Sequence, residues 1–228
     1  MYNDLMPATS FEIRICGACG LRYPFVVGHP FGPRCPVCMG ETQVVRRGGL
    51  NDEPHVLNGE KVASGKGLAV LLDNVRSAWN VGSILRSADG FGFLHAYLCG
   101  ITPTPENEAV TKTSLGAEHS VTWSYHKDAV KVVKGLKAER WKIYGLEQDL
   151  RASPLESLSL LAHGQEPHPV SHVLIVGNEV TGVDPELLDL CDQILSIPMH
   201  GEKKSFNVAI AFSIAAYALR LKNKERLS

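Results

Sequence analysis

The chain has 228 residues, 44% of them hydrophobic and 21% charged, which suits a globular protein with one good-sized domain and a smaller one. Its formal net charge of −1 argues weakly against a protein that coats nucleic acid over its whole surface, although local basic patches still count. No signal-peptide pattern opens the chain, and the long apolar segment near its end runs into Arg220, Lys222 and Lys224. We therefore expect a cytoplasmic protein without a membrane span, whose last helix lies in a core or a dimer interface.

Two Cys-x-x-Cys pairs stand in the first fifty residues, Cys16 with Cys19 and Cys35 with Cys38. This spacing is typical of a four-thiolate zinc ribbon, in which each pair forms a tight knuckle around one ion. Two disulfides are an alternative that no secretion signal supports, and a redox motif would need no matched second pair. We predict a ribbon-like domain over residues 1–48 that holds a structural Zn²⁺, followed by a polar linker over residues 49–66.

The predicted ribbon is also rich in arginine and aromatic residues. The arginines could bind phosphates while the aromatic rings stack on bases. Alternatively, the rings form the minimal core that such a small domain needs in order to fold. Both interpretations stay open for this set: Arg14, Arg22, Arg34, Arg46, Arg47, Tyr23, Phe25 and Phe31.

Strands and helices alternate in the remainder, residues 67–228. Strands are predicted at 67–73, 94–99, 121–125, 141–146, 172–176 and 193–198, and helices at 80–92, before 118, at 127–140, after 184 and at 206–219. We expect Asn80, Asp184 and Ser205 to cap three of these helices. The alternation predicts a parallel α/β sheet, in which ligands bind beyond the carboxyl ends of the strands. The loops 146–149, 177–182 and 198–205 should converge there.

Three segments carry a family resemblance in the right order and spacing: residues 74–92 (NVRSAWNVGSILRSADGFG), 174–183 (LIVGNEVTGV) and 197–211 (IPMHGEKKSFNVAIA). They resemble the three motifs of the SpoU/TrmH branch of the SPOUT RNA methyltransferases. The resemblance covers about the last 160 residues. It implies a parallel-sheet SPOUT fold with a C-terminal trefoil knot, an exception to the rule against threaded chains.

The resemblance also implies an activity and partners. Family members transfer a methyl group from S-adenosylmethionine (SAM) to a ribose 2′-hydroxyl of tRNA or rRNA, and they usually act as homodimers through the last helix. By resemblance, the cofactor lies on Leu146, Gly177, Ile197, Met199, Ser205 and Phe206, and the catalytic residues are Arg86, Asn80, Glu179, Ser205 and Asn207.

Two other functions compete with this one. A non-catalytic RNA- or ribosome-binding protein could use the same knot and ribbon, but the motif residues are all present. An α/β enzyme with another nucleotide cofactor is disfavoured because no GxGxxG or GxxxxGK[ST] motif follows a predicted strand. For Arg86, two roles are open: general base, as proposed for the family, or a cation that holds the phosphate and the 2′-oxygen. The second suits a guanidinium, which scarcely deprotonates.

Overall fold

The structure is a computed structural model that describes residues 10–30, 32–49, 67–158 and 170–225. The chain forms two compact units, Met1–Asn58 and Gly59–Ser228. The predicted domain bounds 1–48 and 67–228 stay predictions. The predicted linker, residues 49–66, lies outside the described residues apart from residue 49, and so does the aromatic residue Phe31.

The first unit contains a three-stranded antiparallel sheet. Its strands are β1 (Ser10–Cys16), β2 (Arg22–Val26) and β3 (Thr42–Gly49), in the order β2-β1-β3. The two cysteine knuckles follow β1 and precede β3. Phe11 packs against Gly48 on β3, where a Cβ atom would overlap the phenyl ring, so the close strand approach needs a glycine there.

The second unit contains a seven-stranded sheet in which all pairs are parallel. Its strand order is β6-β5-β4-β9-β7-β10-β8. Six strands lie where the sequence predicted them to within two residues, and the two-residue strand β8 is additional. The strands are β4 (Leu68–Asp73), β5 (Phe93–Cys99), β6 (Thr122–His126), β7 (Lys142–Leu146), β8 (Ser153–Pro154), β9 (His172–Val176) and β10 (Gln193–Ser196).

Helices cover both faces of this sheet. One core joins alternate β4 residues to α1 and α6, and the other joins the remaining β4 residues to α4 and α5. This division follows from the strand pleat, which sends successive side chains to opposite faces. The described helices are α1 (Ala78–Gly90), α2 (Glu108–Ser114), α3 (Ala117–Ser120), α4 (Ala129–Ala138), α5 (Pro185–Leu190) and α6 (Val208–Glu225).

Two predicted helix caps are wrong, and one is confirmed. Helix α1 is capped by Ser77, whose hydroxyl accepts from the amide of Asn80, so Asn80 lies inside the first turn. Helix α6 is capped by Asn207, which accepts from the Ala209 amide at 2.9 Å, and not by Ser205. Asp184 does cap α5, with Pro185 in the first turn. In both wrong cases a polar residue within three positions in the sequence makes the bond.

Three neighbouring strands of the sheet, β9, β7 and β10, end at the same edge. Strands β9 and β10 flank β7, so the chain between them passes across β7 through α5. The trefoil knot implied by the resemblance stays a prediction. Among the described residues, no helix combines the length and the apolar character that crossing a bilayer requires.

Candidate functional site

A cleft of about 250 Å³ opens at the carboxyl ends of β9, β7 and β10. Three loops were expected to converge here. The loops 146–149 and 177–182 form most of the cleft, and the loop 198–205 contributes only Ser205. Apolar side chains at the strand ends and the start of α6 line it beside polar groups from the loops. The lining residues are Leu146, Glu147, Gln148, Val176, Gly177, Asn178, Glu179, Val180, Gly182, Ser196, Ile197, Ser205, Phe206, Asn207, Val208 and Ala211.

The Glu179 carboxylate joins the loop after β9 to the start of α1. One oxygen accepts from the amide of Arg76 at 2.9 Å. The other accepts from the amide of Ser77 at 3.0 Å and from Nδ2 of Asn80 at 2.9 Å. The negative charge therefore lies at the N-terminal end of α1, where the helix dipole favours it.

These contacts set the ionisation of Glu179. Burial by itself would raise the pKa of this carboxyl, but the hydrogen bonds from the Arg76 amide, the Asn80 side chain and the Ser77 amide together lower the pKa below its usual value. The Arg76 guanidinium adds an ion pair at 3.9 Å. Glu179 is thus ionised at neutral pH and acts here as an acceptor of hydrogen bonds.

Asn80 and Asn207 extend the same network into α6. Nδ2 of Asn207 donates to Oδ1 of Asn80 at 3.1 Å, and Oδ1 of Asn207 caps the helix through the Ala209 amide. Each asparagine therefore accepts on its oxygen and donates from its nitrogen. One continuous hydrogen-bonded chain, Glu179–Asn80–Asn207, connects the three segments that resemble the family motifs.

The loop after β9 is tight because of its glycines. A Cβ atom on Gly177 would overlap the backbone of Gly182 and Val183. Gly182 has φ +75°, and a Cβ atom there would overlap the Glu147 carboxylate. Asn178 holds the loop from inside, since its backbone pairs with Gly182 and its Nδ2 donates to the carbonyl of Asn74 at 2.7 Å.

Glu147 and Gln148 tie the loop after β7 to its neighbours. The Glu147 carboxylate accepts from the Val183 amide at 2.9 Å, and Nε2 of Gln148 donates to the carbonyl of Ile197 at 2.9 Å. Both residues follow directly after the apolar strand β7. Below the cleft, the buried Asp73 accepts from the Asp184 amide at 3.0 Å, and its burial raises the pKa of the carboxyl.

The structure places most of the predicted cofactor residues on the cleft. Leu146, Gly177, Ile197, Ser205 and Phe206 line it, whereas Met199 is half-buried and is not among the lining residues. The same holds for all of residues 198–204, none of which lines the cleft. Whether these residues hold the cofactor stays a prediction.

The predicted catalytic residues divide into two groups. Glu179, Ser205 and Asn207 line the cleft, and Asn80 is bonded to two of them. Arg86 does not line the cleft: it lies exposed one and a half turns further along α1, and it has no hydrogen bond or ion pair to the described residues. Its guanidinium is therefore available to a ligand.

Sequence reasoning missed three supporting residues. Ser77, Glu147 and Asn178 hold α1 and the two cleft loops in place. Glu147 and Asn178 each follow an apolar strand within two residues, and Ser77 stands three positions before Asn80. Glu147 and Asn178 could have been found from the sequence, because ligands bind beyond the carboxyl ends of parallel strands and both are polar residues at such ends.

The four cysteines of the first unit form one cluster. Their sulfur atoms all lie within 4.8 Å of one another, with Cys16 and Cys38 at 3.5 Å and Cys19 and Cys35 at 3.6 Å. A tetrahedral Zn²⁺ with Zn–S bonds of about 2.3 Å would place its sulfur ligands about 3.8 Å apart. The donor set and its spacing therefore fit a zinc ion.

The ionisation of the thiols agrees with that fit. Backbone N–H groups, first that of Cys19, lower the pKa of Cys16 to about 6. The Gly40 amide acts in the same direction on Cys38, but the three neighbouring sulfur atoms raise the pKa of Cys38 to about 12. Four thiolates this close repel one another, so a cation is needed to keep all four deprotonated.

Tyr23 and Phe25, the two aromatic residues of the predicted set that lie within the described residues, serve the packing of the ribbon itself. The Tyr23 hydroxyl donates to the carbonyl of Arg34 at 2.9 Å, and the guanidinium of Arg14 lies 5.7 Å from the Phe25 ring centroid. Arg14 also pairs with Glu12, which binds Arg47. These contacts favour the core interpretation for Tyr23 and Phe25, while Arg22 and Arg46 stay exposed.

Helices on both faces of a parallel sheet, with a loop-lined cleft at the carboxyl ends of adjacent strands, define an α/β protein built to bind a small ligand. The particular family follows from its sequence. The chain belongs to the SpoU rRNA Methylase family, whose model matches residues 67–217. The resemblance read from the three motifs is thereby confirmed.

Individual relatives agree. The 23S rRNA (guanosine(2553)-2'-O)-methyltransferase RlmP of Bacillus subtilis (strain 168) is 33% identical over 161 residues, which are 71% of this chain and 60% of that protein. The tRNA (guanosine(18)-2'-O)-methyltransferase of Aquifex aeolicus (strain VF5) is 29% identical over 163 residues, 71% of this chain and 72% of that protein. The match to the first relative thus spans less than two thirds of its length.

A solved structure shows the same fold. The SpoU methyltransferase AviRb from Streptomyces viridochromogenes, in complex with AdoMet, superposes with a TM-score of 0.62 at 24% sequence identity. The superposition covers 70% of this chain and 62% of that one. The predicted SPOUT architecture of the second unit is confirmed.

Proposed function

We propose that this protein is an SAM-dependent methyltransferase that modifies a ribose 2′-hydroxyl in tRNA or rRNA. The observation that carries the proposal is the Glu179–Asn80–Asn207 chain, which joins the three motif segments of a SpoU family member at one cleft. The names of the relatives support the reaction and both RNA classes. A purely RNA-holding protein would have no need of the cleft that this network maintains.

The cleft suits SAM. When bound, SAM supplies an electrophilic methyl group on a sulfonium. Leu146, Val176 and Ile197 offer apolar walls to an adenine ring, and Gly177 lets the backbone come close enough for its amides and carbonyls to bond the cofactor. Ser205 adds a polar group to this lining that can bond a ribose hydroxyl of the cofactor.

The remaining task of the chain is to position the RNA and handle a proton. Asn207 and Ser205, which line the cleft, contact the target ribose in this proposal. Arg86 holds the neighbouring phosphate and the 2′-oxygen, and it stabilises the negative charge that develops there while phosphate or water takes the proton. Its guanidinium, which is exposed and has no partner among the described residues, supports this role better than that of a base.

The ribbon holds a structural zinc ion on Cys16, Cys19, Cys35 and Cys38. The compact sulfur cluster and its thiol chemistry support this part of the proposal. A sheet of three short strands buries little apolar surface, so the ion would provide much of its folding free energy.

The protein acts as a homodimer in the cytoplasm. An apolar stripe on the outer face of α6 supports the dimer, since Ile210, Ile214, Tyr217 and Leu221 are between 36% and 56% exposed at the spacing of one helix face. A lysine on this stripe, Tyr217→Lys, is expected to weaken dimer and activity together in sedimentation velocity and methyl-transfer assays. A fully active monomeric variant would overturn that link.

Two measurements test the activity. Calorimetry with SAM should show binding, and tritium transfer from labelled SAM to unmodified tRNA and 23S rRNA transcripts should show turnover. Arg86→Ala and Arg86→Lys should abolish transfer while SAM binding is largely kept. Near-normal turnover by Arg86→Ala contradicts the role given to Arg86, and SAM binding without transfer to any RNA favours the non-catalytic alternative.

A further inference from the structure

Trp79 is an exposed tryptophan in the first turn of α1. Its side chain is 60% exposed, although tryptophan is among the most buried residues on average. The other two tryptophans, Trp123 and Trp141, are half-buried and pack against the two cores. Within the described part of the chain, no hydrogen bond or ring contact engages the Trp79 indole.

The position of Trp79 is fixed by the active-site network. The amide of Ser77 and the side chain of Asn80, on either side of Trp79 in the sequence, both bond the Glu179 carboxylate. Since successive helix residues point about 100° apart, the indole projects from a different side of α1 than the Asn80 side chain, and Trp79 is not among the residues that line the cleft. Trp79 therefore lies exposed in the same helical turn as the groups that bond Glu179.

The same helix face carries positive charge. Arg86 follows Trp79 by seven residues, which is almost two full turns, so both side chains share a face about 10 Å apart along the axis. Arg76, whose side chain is 59% exposed, stands just before the helix, and its guanidinium lies 3.9 Å from the Glu179 carboxylate. No carboxylate occurs between residues 76 and 86. An exposed aromatic ring with Arg86 on the same helix face and Arg76 just before the helix matches the chemistry of single-stranded RNA, which presents base faces and phosphates together.

This inference rests on the proposed function. We propose that Trp79 is a stacking platform for an unpaired base of the RNA substrate, next to the nucleotide whose ribose is methylated. The indole holds the base by its π-face, while Arg86 and Arg76 meet the flanking phosphates. Stacking of this kind gives affinity with little base selectivity, because every base has a π-face.

Steady-state kinetics with tritiated SAM and unmodified 23S rRNA and tRNA transcripts test the role. Loss of one stacked base in Trp79→Ala should raise KM for RNA by about 5- to 150-fold, with kcat within about threefold. Trp79→Phe should stay close to wild type, and Trp79→Leu should behave like Ala. The matched control is Leu94→Ala, which should leave KM unchanged. Leu94 is an exposed apolar residue (44%) near the start of β5, whereas the cleft lies at the carboxyl ends of strands.

Fluorescence gives an independent readout. In a Trp123→Phe/Trp141→Phe background, Trp79 is the sole tryptophan, and the transcript with which wild type is active should quench its emission. An unchanged KM in Trp79→Ala, or rescue by Leu as good as by Phe, overturns the stacking role; the second result points to an apolar contact with protein instead. If wild type binds SAM but methylates no transcript, the proposed function fails. Quenching by those same RNAs then still supports stacking, and its absence contradicts stacking.

Discussion

Replacing Glu179 with glutamine tests the network that organises the site. The carboxylate accepts three hydrogen bonds, two on one oxygen and one on the other. A glutamine can keep the two bonds from Ser77 and Asn80 on its amide oxygen. Its NH₂ group then faces the Arg76 amide, donor against donor, and the negative charge at the start of α1 is gone.

The expected loss follows from these contacts. One charge-assisted hydrogen bond contributes about 1.5–3 kcal/mol, and the two retained bonds weaken from charged to neutral by roughly 0.5 kcal/mol each. The side chain is 20% exposed, so water offsets part of the loss. We expect Glu179→Gln to lower the free energy of unfolding by about 2–4 kcal/mol, and Tm by about 5–15 °C.

The pH dependence supplies a second measure. Because the pKa of Glu179 is lowered in the folded state, its charge stabilises the fold above the unfolded pKa of about 4.3, and this contribution is lost as pH falls through the folded value. The difference in stability between wild type and Glu179→Gln should therefore be largest near pH 7 and shrink below about pH 4. Urea unfolding at a series of pH values measures it.

Glu106→Gln is the matched control, because Glu106 is exposed and has no hydrogen bond or ion pair to the described residues. It should change neither Tm nor activity, whereas Glu179→Gln should also reduce methyl transfer at least tenfold, because the weakened bond to Asn80 positions Asn80 and, through it, Asn207 less firmly. If the two variants show the same Tm and the same acid-side stability, the network does not hold the three motif segments together.

Three further predictions concern backbone conformation and the metal. Gly177→Ala should weaken SAM binding at least about tenfold by calorimetry and lower Tm, because the added methyl group would overlap the backbone of Gly182 and Val183. The control is Gly135→Ala on α4, where the added methyl group meets open space. This variant should keep SAM affinity and raise the free energy of unfolding by up to about 1 kcal/mol. Met39 has φ +59° at the knuckle position where the first pair has Gly20, so Met39→Gly should stabilise the ribbon by about 1 kcal/mol in thermal melts, and a lower melting point would contradict this. Metal analysis should find one zinc per chain, and chelation should unfold the ribbon while leaving the SAM site of residues 67–228 able to bind; a metal-free protein with an intact ribbon signal would refute the zinc assignment.

The strands, the cysteine cluster and the family could be predicted from the sequence, because each depends on short local patterns of residues. Continuous apolar runs such as Leu68–Asp73 gave the strands, because a strand covered on both faces tolerates few polar residues. The paired Cys-x-x-Cys spacing predicted the sulfur cluster, since each knuckle is a local turn. The three motifs indicated the family because their glycines and polar residues meet strict backbone demands, as at Gly177 and Gly182.

Other features depended on contacts between distant parts of the chain. Ser77 caps α1, because this helix begins where the Ser77 amide donates to the Glu179 carboxylate. Asn207 caps α6, because this helix begins where Asn207 donates to the side chain of Asn80. The helix propensity of a short segment cannot predict a hydrogen bond between residues that lie about 100 positions apart in the chain. The same is true of Met199, which is not among the residues that line the cleft.

The sequence by itself determined the fold class, the family and the kinds of residue at the site, because periodicity and motif spacing are properties of short segments. Tertiary structure alone decided which polar groups bond one another. It made Glu179 a bridge between helix and loop, left Arg86 unengaged among the described residues, and exposed Trp79 in the first turn of α1. The physical reason is that a hydrogen bond depends on the position of both partners, and only the packed sheet brings β9, α1 and α6 to one place.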